Sequence, residues 1–204
     1  MATTKKITKA AQREATTQKL IEIGREIFTQ HGYAQASTEE IVQRAGVTRG
    51  ALYHHFASKE GLFHAVLEDI QKDVTARIEE AAAQTDDLWG QLLAGCRAFL
   101  TASLDPQVQR IMLMDGPAVL GWEAWRQIDA EQGMQTLHSV LLELTAQGLI
   151  HPQPINALVH VLSGAMNEAA LWIAGAEQPE QAFDEATATL ENLLSGLRKA
   201  PGML

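Results

Sequence analysis

The sequence predicts an all-α protein of about nine helices, and three observations carry that prediction. Apolar residues recur at intervals of three and four along most of the 204-residue chain, the spacing that places side chains on one face of a helix. Ser, Thr or Asp precedes many of these stretches and Gly follows several, as expected for helix caps. The sequence has no clear strand pattern, internal repeat or low-complexity linker.

The first two helices are delimited by glycines and by a capping sequence. The first is expected to end near Gly32, because glycine suits a left-handed cap. The second begins at Ser37 and ends at Gly46. Its start is typical of a capping box, in which Ser37 and Glu40 each satisfy a backbone N–H of the other.

The third helix is expected from a cap at Thr48 to about Phe56, and a long fourth helix from Ser58 to about Gln84. Another helix opens at Asp86 or Asp87. The dipeptide Asp105-Pro106 begins a short helix that stops at Gly116-Pro117, since proline suits the first helical position. A single long helix is predicted from about Trp122 to Gly148, and two final helices follow the loop Leu149–Pro154.

The composition indicates a soluble globular protein, with 46% apolar and 20% charged residues. The single cysteine, Cys96, cannot form an internal disulfide, which fits a reducing cytoplasm. No signal-peptide pattern follows the lysine-rich opening of the sequence. The most apolar stretch, residues 158–174, carries four polar residues, so we expect a cytoplasmic protein with no membrane span.

The charge is divided unevenly along the chain. Residues 1–60 hold nine Lys or Arg and six Asp or Glu, a net of +3, whereas residues 61–204 hold seven and nineteen, a net of −12. A basic N-terminal part on an acidic body is typical of a protein that binds nucleic acid through that part. Lys5, Lys6 and Lys9 are expected in a mobile basic arm, residues 1–10.

Residues 38–56 have the pattern of a helix-turn-helix, two short helices joined by a tight turn that contains Gly46. Its buried seam is predicted to comprise Ile41, Val42, Ala45, Val47, Leu52 and Phe56. The exposed start of the second helix is Thr48-Arg49-Gly50-Ala51. Small side chains there allow a close approach to the major groove, where Thr48 and Arg49 can contact base edges.

The run from Ala45 to Phe63, with Leu52-Tyr53-His54-His55-Phe56 and then Ser58-Lys59-Glu60, resembles the TetR (AcrR-like) family of bacterial regulators. The resemblance covers about residues 12–67, and the rest of the chain matches only in helix count and topology. It implies phosphate contacts from Thr38, Tyr53, His54 and Lys59 and base contacts from Thr48 to Ala51. A cation at position 59 also fits the start of a helix, where an anion is favoured.

Several side chains in the motif have two interpretations. Glu39 either faces solvent, which we favour, or accepts a hydrogen bond from a cytosine. His55 either supports the fold or contacts a phosphate, and Tyr53 either packs or contacts a phosphate, which we favour.

The last two helices are apolar on more than one side and therefore need a partner surface. The simplest arrangement is a two-fold four-helix bundle formed by two copies of the chain, which the resemblance also implies. The predicted homodimer contacts are Leu158, Leu162, Ala165, Ala169, Trp172, Phe183, Leu190, Leu193 and Leu197.

The body is also predicted to hold a small apolar or aromatic effector, because methionine and tryptophan with a few polar groups suit such a pocket. Plain core packing is the alternative. The candidate pocket residues are Phe99, Met112, Asp115, Trp122, Trp125, His138, Met166 and Asn167.

These observations predict a helix-turn-helix domain over residues 1–57 and a sensing and dimerisation domain over residues 58–204. The function expected is a repressor that binds a palindromic double-stranded operator and is released by its effector. The fourth helix, which joins the two domains, is expected to transmit the effect of the effector to the helix-turn-helix. An activator and a ligand-independent helical adaptor are the alternatives. An enzyme is not expected, since Cys96 lies in an apolar stripe and His54-His55 lack metal-ligand spacing. No cofactor or metal is expected.

Overall fold

The computed structural model describes residues 8–199. These residues form ten α-helices and one π-helical segment, Val108–Asp115, with a single isolated bridge between Ile150 and Arg198 as the one extended pairing among them. The α-helices are α1 Lys9–Gln35, α2 Thr38–Ala45, α3 Arg49–Phe56, α4 Lys59–Ala83, α5 Leu88–Ala102, α6 Gly116–Leu120, α7 Trp122–Glu131, α8 Gly133–Ala146, α9 Ile155–Gly175 and α10 Pro179–Ser195.

The all-α prediction is confirmed, and the helix count is higher than expected for two reasons. The long helix predicted from Trp122 to Gly148 is two helices, because the backbone leaves helical geometry at Gln132 (φ −120°, ψ −89°). The short helix after Asp105-Pro106 is π-helical and continues directly into α6, so Gly116 does not stop it. Lys9, expected in a mobile arm, begins α1, whereas Lys5 and Lys6 lie outside the described residues.

Helix ends follow the local sequence closely. Gly32 interrupts α1 with φ 70° and ψ 165°, and Gly46 ends α2 in the left-handed region with φ 67° and ψ 32°. The Thr48 and Ser58 hydroxyls accept from the amides of Ala51 (3.1 Å) and Gly61 (2.9 Å). These caps need only neighbouring residues, so the sequence predicts them well.

The capping box of α2 is only half as predicted. The Ser37 hydroxyl accepts from the Glu40 amide at 3.4 Å, which is the expected half. The carboxylate that binds the serine belongs to Glu39, whose Oε2 accepts from the hydroxyls of Ser37 and Thr38, each at 3.2 Å. Glu39 thus binds the side chain of the cap residue, and the predicted bond from the Ser37 backbone N–H to the Glu40 carboxylate is not formed among the described residues.

The head, α1–α3, packs its apolar seam onto the start of α4. Buried side chains from all four helices meet there, with Phe28, Tyr33 and Phe63 in aromatic contacts of 5.1–5.9 Å between ring centres. Leu20, Ile27, Phe28, Ile41, Leu52, Leu62 and Phe63 are fully buried. The relative position of the recognition helix α3 is thus fixed by a continuous apolar core.

In the body, α4–α10, the helices α4 and α5 pack along each other, and the other helices surround them. Helix α9 is long and apolar enough to cross a membrane by length and composition, but it contacts α5, α8, α10 and the π-helical segment. Buried residues such as Leu162, Met166, Ala170 and Ile173 face those neighbours. In this fold α9 is a core helix of the body.

Candidate DNA interface and ligand cavity

The start of α3 is an exposed polar surface of the head. Thr48, Arg49 and Gly50 are exposed, and Ala51 is half-buried. A side chain added at Gly50 would meet only the Thr48 hydroxyl, at 3.8 Å, so the helix start is open. An exposed helix start with small residues can lie close to another molecule's backbone or base edges.

Arg49 is held in place by two neighbours on this surface. Its Nη1 donates to Glu39 Oε1 at 2.7 Å, and its Nη2 donates to the Tyr53 hydroxyl at 3.3 Å. The guanidinium also lies 5.5 Å from the centre of the Tyr53 ring. The side chains of Arg49 and Glu39 are 60% and 66% exposed, so this ion pair is readily exchanged for another partner.

Glu39 is thus exposed, as favoured from the sequence, but it is also paired with the recognition helix, which the sequence did not reveal. Hydrogen bonds from its own backbone N–H and from Ser37 and Thr38, with the charge of Arg49, lower the pKa of the Glu39 carboxyl. The side chain is therefore ionised at neutral pH.

Two predicted DNA-contacting residues have partners within the protein. Lys59 Nζ donates to the carbonyls of Tyr33 (2.8 Å) and Ala36 (3.1 Å) and lies 4.3 Å from the Tyr33 ring centre. Two of the three ammonium protons therefore satisfy carbonyls at the end of α1. One proton is left, so a phosphate contact from Lys59 stays a prediction.

His55 is turned toward α1, where a hydrogen bond of 2.8 Å joins its Nδ1 to the Thr17 hydroxyl. Burial, and then the charges of Arg13 and His54, lower the pKa of the His55 imidazole. This geometry favours the fold-supporting interpretation of His55. His54 and Tyr53 remain exposed on the other side of the helix, and their phosphate contacts, like that of the half-buried Thr38, stay predictions.

The turn after α3 is strained. Ala57 has φ 61° and ψ −36°, and the Ser58 amide donates to the Phe56 carbonyl at 2.7 Å, a tight turn with positive φ. Gly61 then passes so close to Phe56 that a Cβ would lie 2.0 Å from its carbonyl oxygen. This turn fixes the angle between the recognition helix and α4.

Two polar contacts that the sequence did not reveal join the head to the body. Arg25 on α1 donates to Asp69 (3.1 Å) and Asp73 (2.6 Å) on α4, and to the side chain of Gln107. The Tyr33 amide, next to the break in α1, donates to Asp115 Oδ2 at 2.7 Å.

The same Asp115 oxygen accepts from Arg110 Nε at 3.2 Å. Asp115 is therefore part of the contact between head and body rather than of a ligand pocket.

A cavity of about 550 Å³ lies between α4, α5, α8 and α9. Three predicted pocket residues, Phe99, Met166 and Asn167, line it. Of the others, Met112 is buried in the core, where its carbonyl accepts from Trp125 Nε1 at 2.8 Å. Trp122 and Trp125 line a separate groove beside α9, and the half-buried His138 lines another groove between α8 and α9.

Buried polar groups form one wall of the cavity. Asp129 is 6% exposed, and its Oδ2 accepts from Arg126 Nη1 at 2.5 Å and from the Ser163 hydroxyl at 3.3 Å. Burial raises the pKa of the Asp129 carboxyl, although Arg126, Ser163 and His160 oppose that rise. Cys96 also lines the cavity, and burial raises the pKa of its thiol to about 12, so the thiol stays protonated.

Both parts of this fold match known families of domains. Residues 20–66 match the family model of bacterial regulatory proteins of the tetR family. Residues 89–197, more than half of the chain, match the tetracyclin repressor-like C-terminal domain. The chain belongs to the TetR family. Members of the TetR family are transcription regulators that bind DNA, dimerise and are not enzymes, and the resemblance drawn from residues 12–67 is confirmed.

Known proteins that are similar to the chain over most of its length include other transcription regulators. A crystal structure of a TetR-family transcriptional regulator from Pectobacterium atrosepticum is 34% identical, covers 95% of this chain and 99% of that chain, and superposes with a TM-score of 0.80. The HTH-type transcriptional regulator SrpR of Pseudomonas putida is 29% identical, covering 72% of this chain and 68% of that protein. The Transposon Tn10 TetC protein of Escherichia coli is 25% identical over 74% of this chain and 76% of its own length.

The TetR-family body presents an exposed apolar stripe on α9 and α10. Val161 is 66% exposed, Trp172 49% and Leu193 63%, and Ala165 is also exposed. Of the predicted dimer contacts, Leu162 and Leu190 instead lie in the core of one chain. Leu158, Ala169, Phe183 and Leu197 are half-buried at its edge.

Proposed function

We propose that this TetR-family protein is a transcriptional repressor that binds a palindromic operator as a homodimer and is released by a small apolar or aromatic effector. The observation that carries the DNA-binding part is the open, exposed start of α3, where Arg49 lies beside Glu39 and Tyr53. Arginine in such a position can bind the N7 and O6 acceptors of guanine, exchanging its contact with Glu39 for one with the base.

The charge distribution supports the same orientation. The basic N-terminal part would meet the phosphates, while the acidic body, with a net charge of −12 over residues 61–204, would point away. Tyr53, His54 and Thr38 flank the proposed base-contacting residues and would contact phosphates. In this proposal the protein acts in the cytoplasm of a bacterium, where the DNA is directly accessible.

The exposed stripe of Val161, Ala165, Trp172 and Leu193 supports the homodimer. Large apolar side chains exposed together on two adjacent helices mark an association surface. Two copies joined there would form a four-helix bundle and present two recognition helices to successive major grooves. The proposed interface is therefore narrower than the sequence suggested, since Leu162 and Leu190 are already buried in one chain.

The position of α4 supports the proposed response to an effector. Its first residues pack on the head, whereas Ile78, Glu79 and Ala82 near its end line the cavity. A ligand that binds more tightly to one position of α4 would bias the spacing of the two heads. The contacts of Asp69 and Asp73 with Arg25, and of Asp115 with the Tyr33 amide, give the body a second connection to α1.

Selection of binding sites from a random double-stranded DNA library, followed by fluorescence anisotropy with the enriched oligonucleotide, tests the proposal. We expect two chains per palindromic site and affinity that falls steeply with salt. The variant Arg49→Ala should weaken binding about five- to 150-fold, because a bidentate arginine–base contact contributes about 1–3 kcal/mol. Lys72→Ala, an exposed residue of α4 with the same charge change, is the matched control and should bind like the wild type.

The double variant Val161→Glu and Leu193→Glu should be monomeric by light scattering and bind the site weakly. Salt-independent binding, or equal affinity of Arg49→Ala and Lys72→Ala, would favour the ligand-independent adaptor. Loss of a reporter's expression on deleting the gene, rather than its gain, would favour an activator.

A further inference from the structure

The charged side chains that line the cavity between α4, α5, α8 and α9 are all acidic. Three carboxylates line it, those of Glu79, Asp129 and Glu143, and among the described lining residues there is no Lys, Arg or His. Glu79 on α4 and Glu143 on α8 are exposed, so they lie where the cavity opens to solvent. Asp129 is buried and lies inside.

Only one of the two carboxylate oxygens of Asp129 is used by the protein. Arg126 and Ser163 both donate to Oδ2. Oδ1 lies 3.7 Å from the point that a Cβ on Gly133 would occupy, and Gly133 lines the cavity. Within residues 8–199 no group donates to Oδ1, so this oxygen of a cavity-lining residue can accept a hydrogen bond from a ligand.

Arg126 does not give the cavity a positive charge. Its guanidinium is committed to Asp129 and Ser163, and its Nη2 lies 3.4 Å from His160 Nδ1. The side chain lines the separate groove next to α9 rather than the cavity. The Arg126–Asp129 pair is therefore near neutral, and the charges of Glu79 and Glu143 remain uncompensated.

The rest of the cavity is suited to an apolar molecule with one polar end. Its walls include Ile78, Leu92, Phe99, Met134, Leu137 and Met166. Asn167, which is 9% exposed and has no side-chain hydrogen bond to another described residue, adds an amide close to Ser163 on α9. A volume of about 550 Å³ is in the range of sites for small organic ligands.

We propose that the effector of this cavity is an apolar molecule that carries a protonated amine, and not a carboxylate or a phosphate. The ammonium group donates to Asp129 Oδ1, the apolar part lies among the methionine, leucine and phenylalanine side chains, and Glu79 and Glu143 attract the cation at the entrance. An anion would meet the uncompensated charges of Glu79 and Glu143, and no basic residue lines the cavity to bind it. This proposal rests on the sensor role proposed above.

Calorimetric titration of the full-length protein with decylamine, 1-decanol and decanoate tests it. The three probes share one alkyl chain, so their apolar contribution is matched and only the head group differs. We expect decylamine to bind at least about tenfold more tightly than 1-decanol, because opposite charges attract strongly in a partly buried site, and decanoate to bind most weakly. Equal affinities, preference for decanoate, or no binding of decylamine up to its solubility limit would overturn the proposal.

The variants separate a site effect from general attraction to an acidic protein. Asp129→Asn should remove most of the preference for the amine over the alcohol. Because this change also disturbs the buried Arg126 pair, the double variant Glu79→Gln and Glu143→Gln provides a second test at exposed positions and should reduce the preference several-fold. Glu80→Gln, next to Glu79 but outside the cavity lining, should leave the preference unchanged. An equal effect of Glu80→Gln and Glu79→Gln would mean non-specific attraction and would overturn the proposal.

Release of the selected DNA by decylamine is measured separately by anisotropy. If the head-group order holds but DNA binding does not respond, the sensor role fails and the ligand class stands. If DNA binding is intact and the order is reversed, the ligand class fails and the DNA-binding function stands.

Discussion

The head, α1–α3, buries apolar side chains and glycine, whereas all six buried polar side chains of residues 8–199 belong to the body. These six are Gln71, Ser103, Asp129, Ser163, Asn167 and Thr187. The head can have an apolar interior because its functional polar side chains, Arg49 and its neighbours, lie on its outer surface. The body keeps polar groups inside, and three of them line the cavity.

The difference shows how one chain can serve two kinds of partner. DNA is read by side chains that project from a rigid scaffold, so the head gains from a uniform apolar core. A small ligand is enclosed, so the body must place hydrogen-bonding groups inside and accept their desolvation. The head also meets the body through polar contacts, at Arg25 and Asp115, beside the apolar core that it shares with the start of α4.

The largest effect on stability is expected at this junction. Gly32 has φ 70° and ψ 165°, and a Cβ there would lie 1.9 Å from Arg110 Nη2. Gly32→Ala should lower the free energy of unfolding by about 2–3 kcal/mol, since the backbone is strained and Arg110 must leave Asp115. Urea denaturation measures the change.

Gly148→Ala is the matched control in the body, because Gly148 has φ 69° but open space around a Cβ. We expect it to lower the free energy of unfolding by only about 1 kcal/mol. If the two substitutions lower the free energy of unfolding equally, the close approach of Arg110 to Gly32 contributes nothing, and the junction is looser than its geometry suggests.

A smaller effect, of opposite sign, is expected inside the body. Both side-chain polar atoms of Gln71 on α4 are buried and have no hydrogen-bond partner among the described residues. Gln71→Met should raise the free energy of unfolding by about 1–2 kcal/mol, because an unpaired buried amide is replaced by an apolar group of similar shape.

Lys72→Met, at the neighbouring but exposed position of α4, should change the free energy of unfolding by less than about 0.5 kcal/mol. Thermal unfolding of the two variants in parallel gives the comparison. A destabilised Gln71→Met would show that the body keeps this amide for a contact that forms in solution.

The smallest effect is expected in the head and depends on pH. The pKa of His55 is lowered in the folded state, mainly by burial, so the folded protein binds this proton less readily than the unfolded chain. The stability linked to His55 is therefore fully present above a pH of about 6.5 and is lost as the pH falls toward the folded pKa.

His55→Asn, whose side-chain amide can still form a hydrogen bond with the Thr17 hydroxyl, should flatten the fall in stability between neutral and mildly acidic pH. Urea midpoints of wild type and variant over that range measure it. Parallel pH profiles would contradict the role of His55 as a neutral partner of Thr17.

The sequence by itself determined the class of fold, the helix-turn-helix and the family. The positions of Gly46, Thr48 and Ser58 are set by hydrogen bonds within one turn of chain, and the run from Ala45 to Phe63 carries the family resemblance without any distant contact. Such features depend on neighbouring residues alone, which a sequence displays directly.

The tertiary structure alone decided where polar side chains find partners. Lys59 donates to carbonyls at the end of α1, and Asp115 accepts from the Tyr33 amide of the head instead of lining a pocket. Leu162 and Leu190 are buried within one chain rather than at a dimer contact. The break at Gln132 brings Asp129 and Gly133 to the cavity, although the helical spacing of Ala130, Met134 and Leu137 continues across it. Each of these depends on which helices meet across the fold, and helical periodicity gives the face of a residue but not the neighbour opposite it.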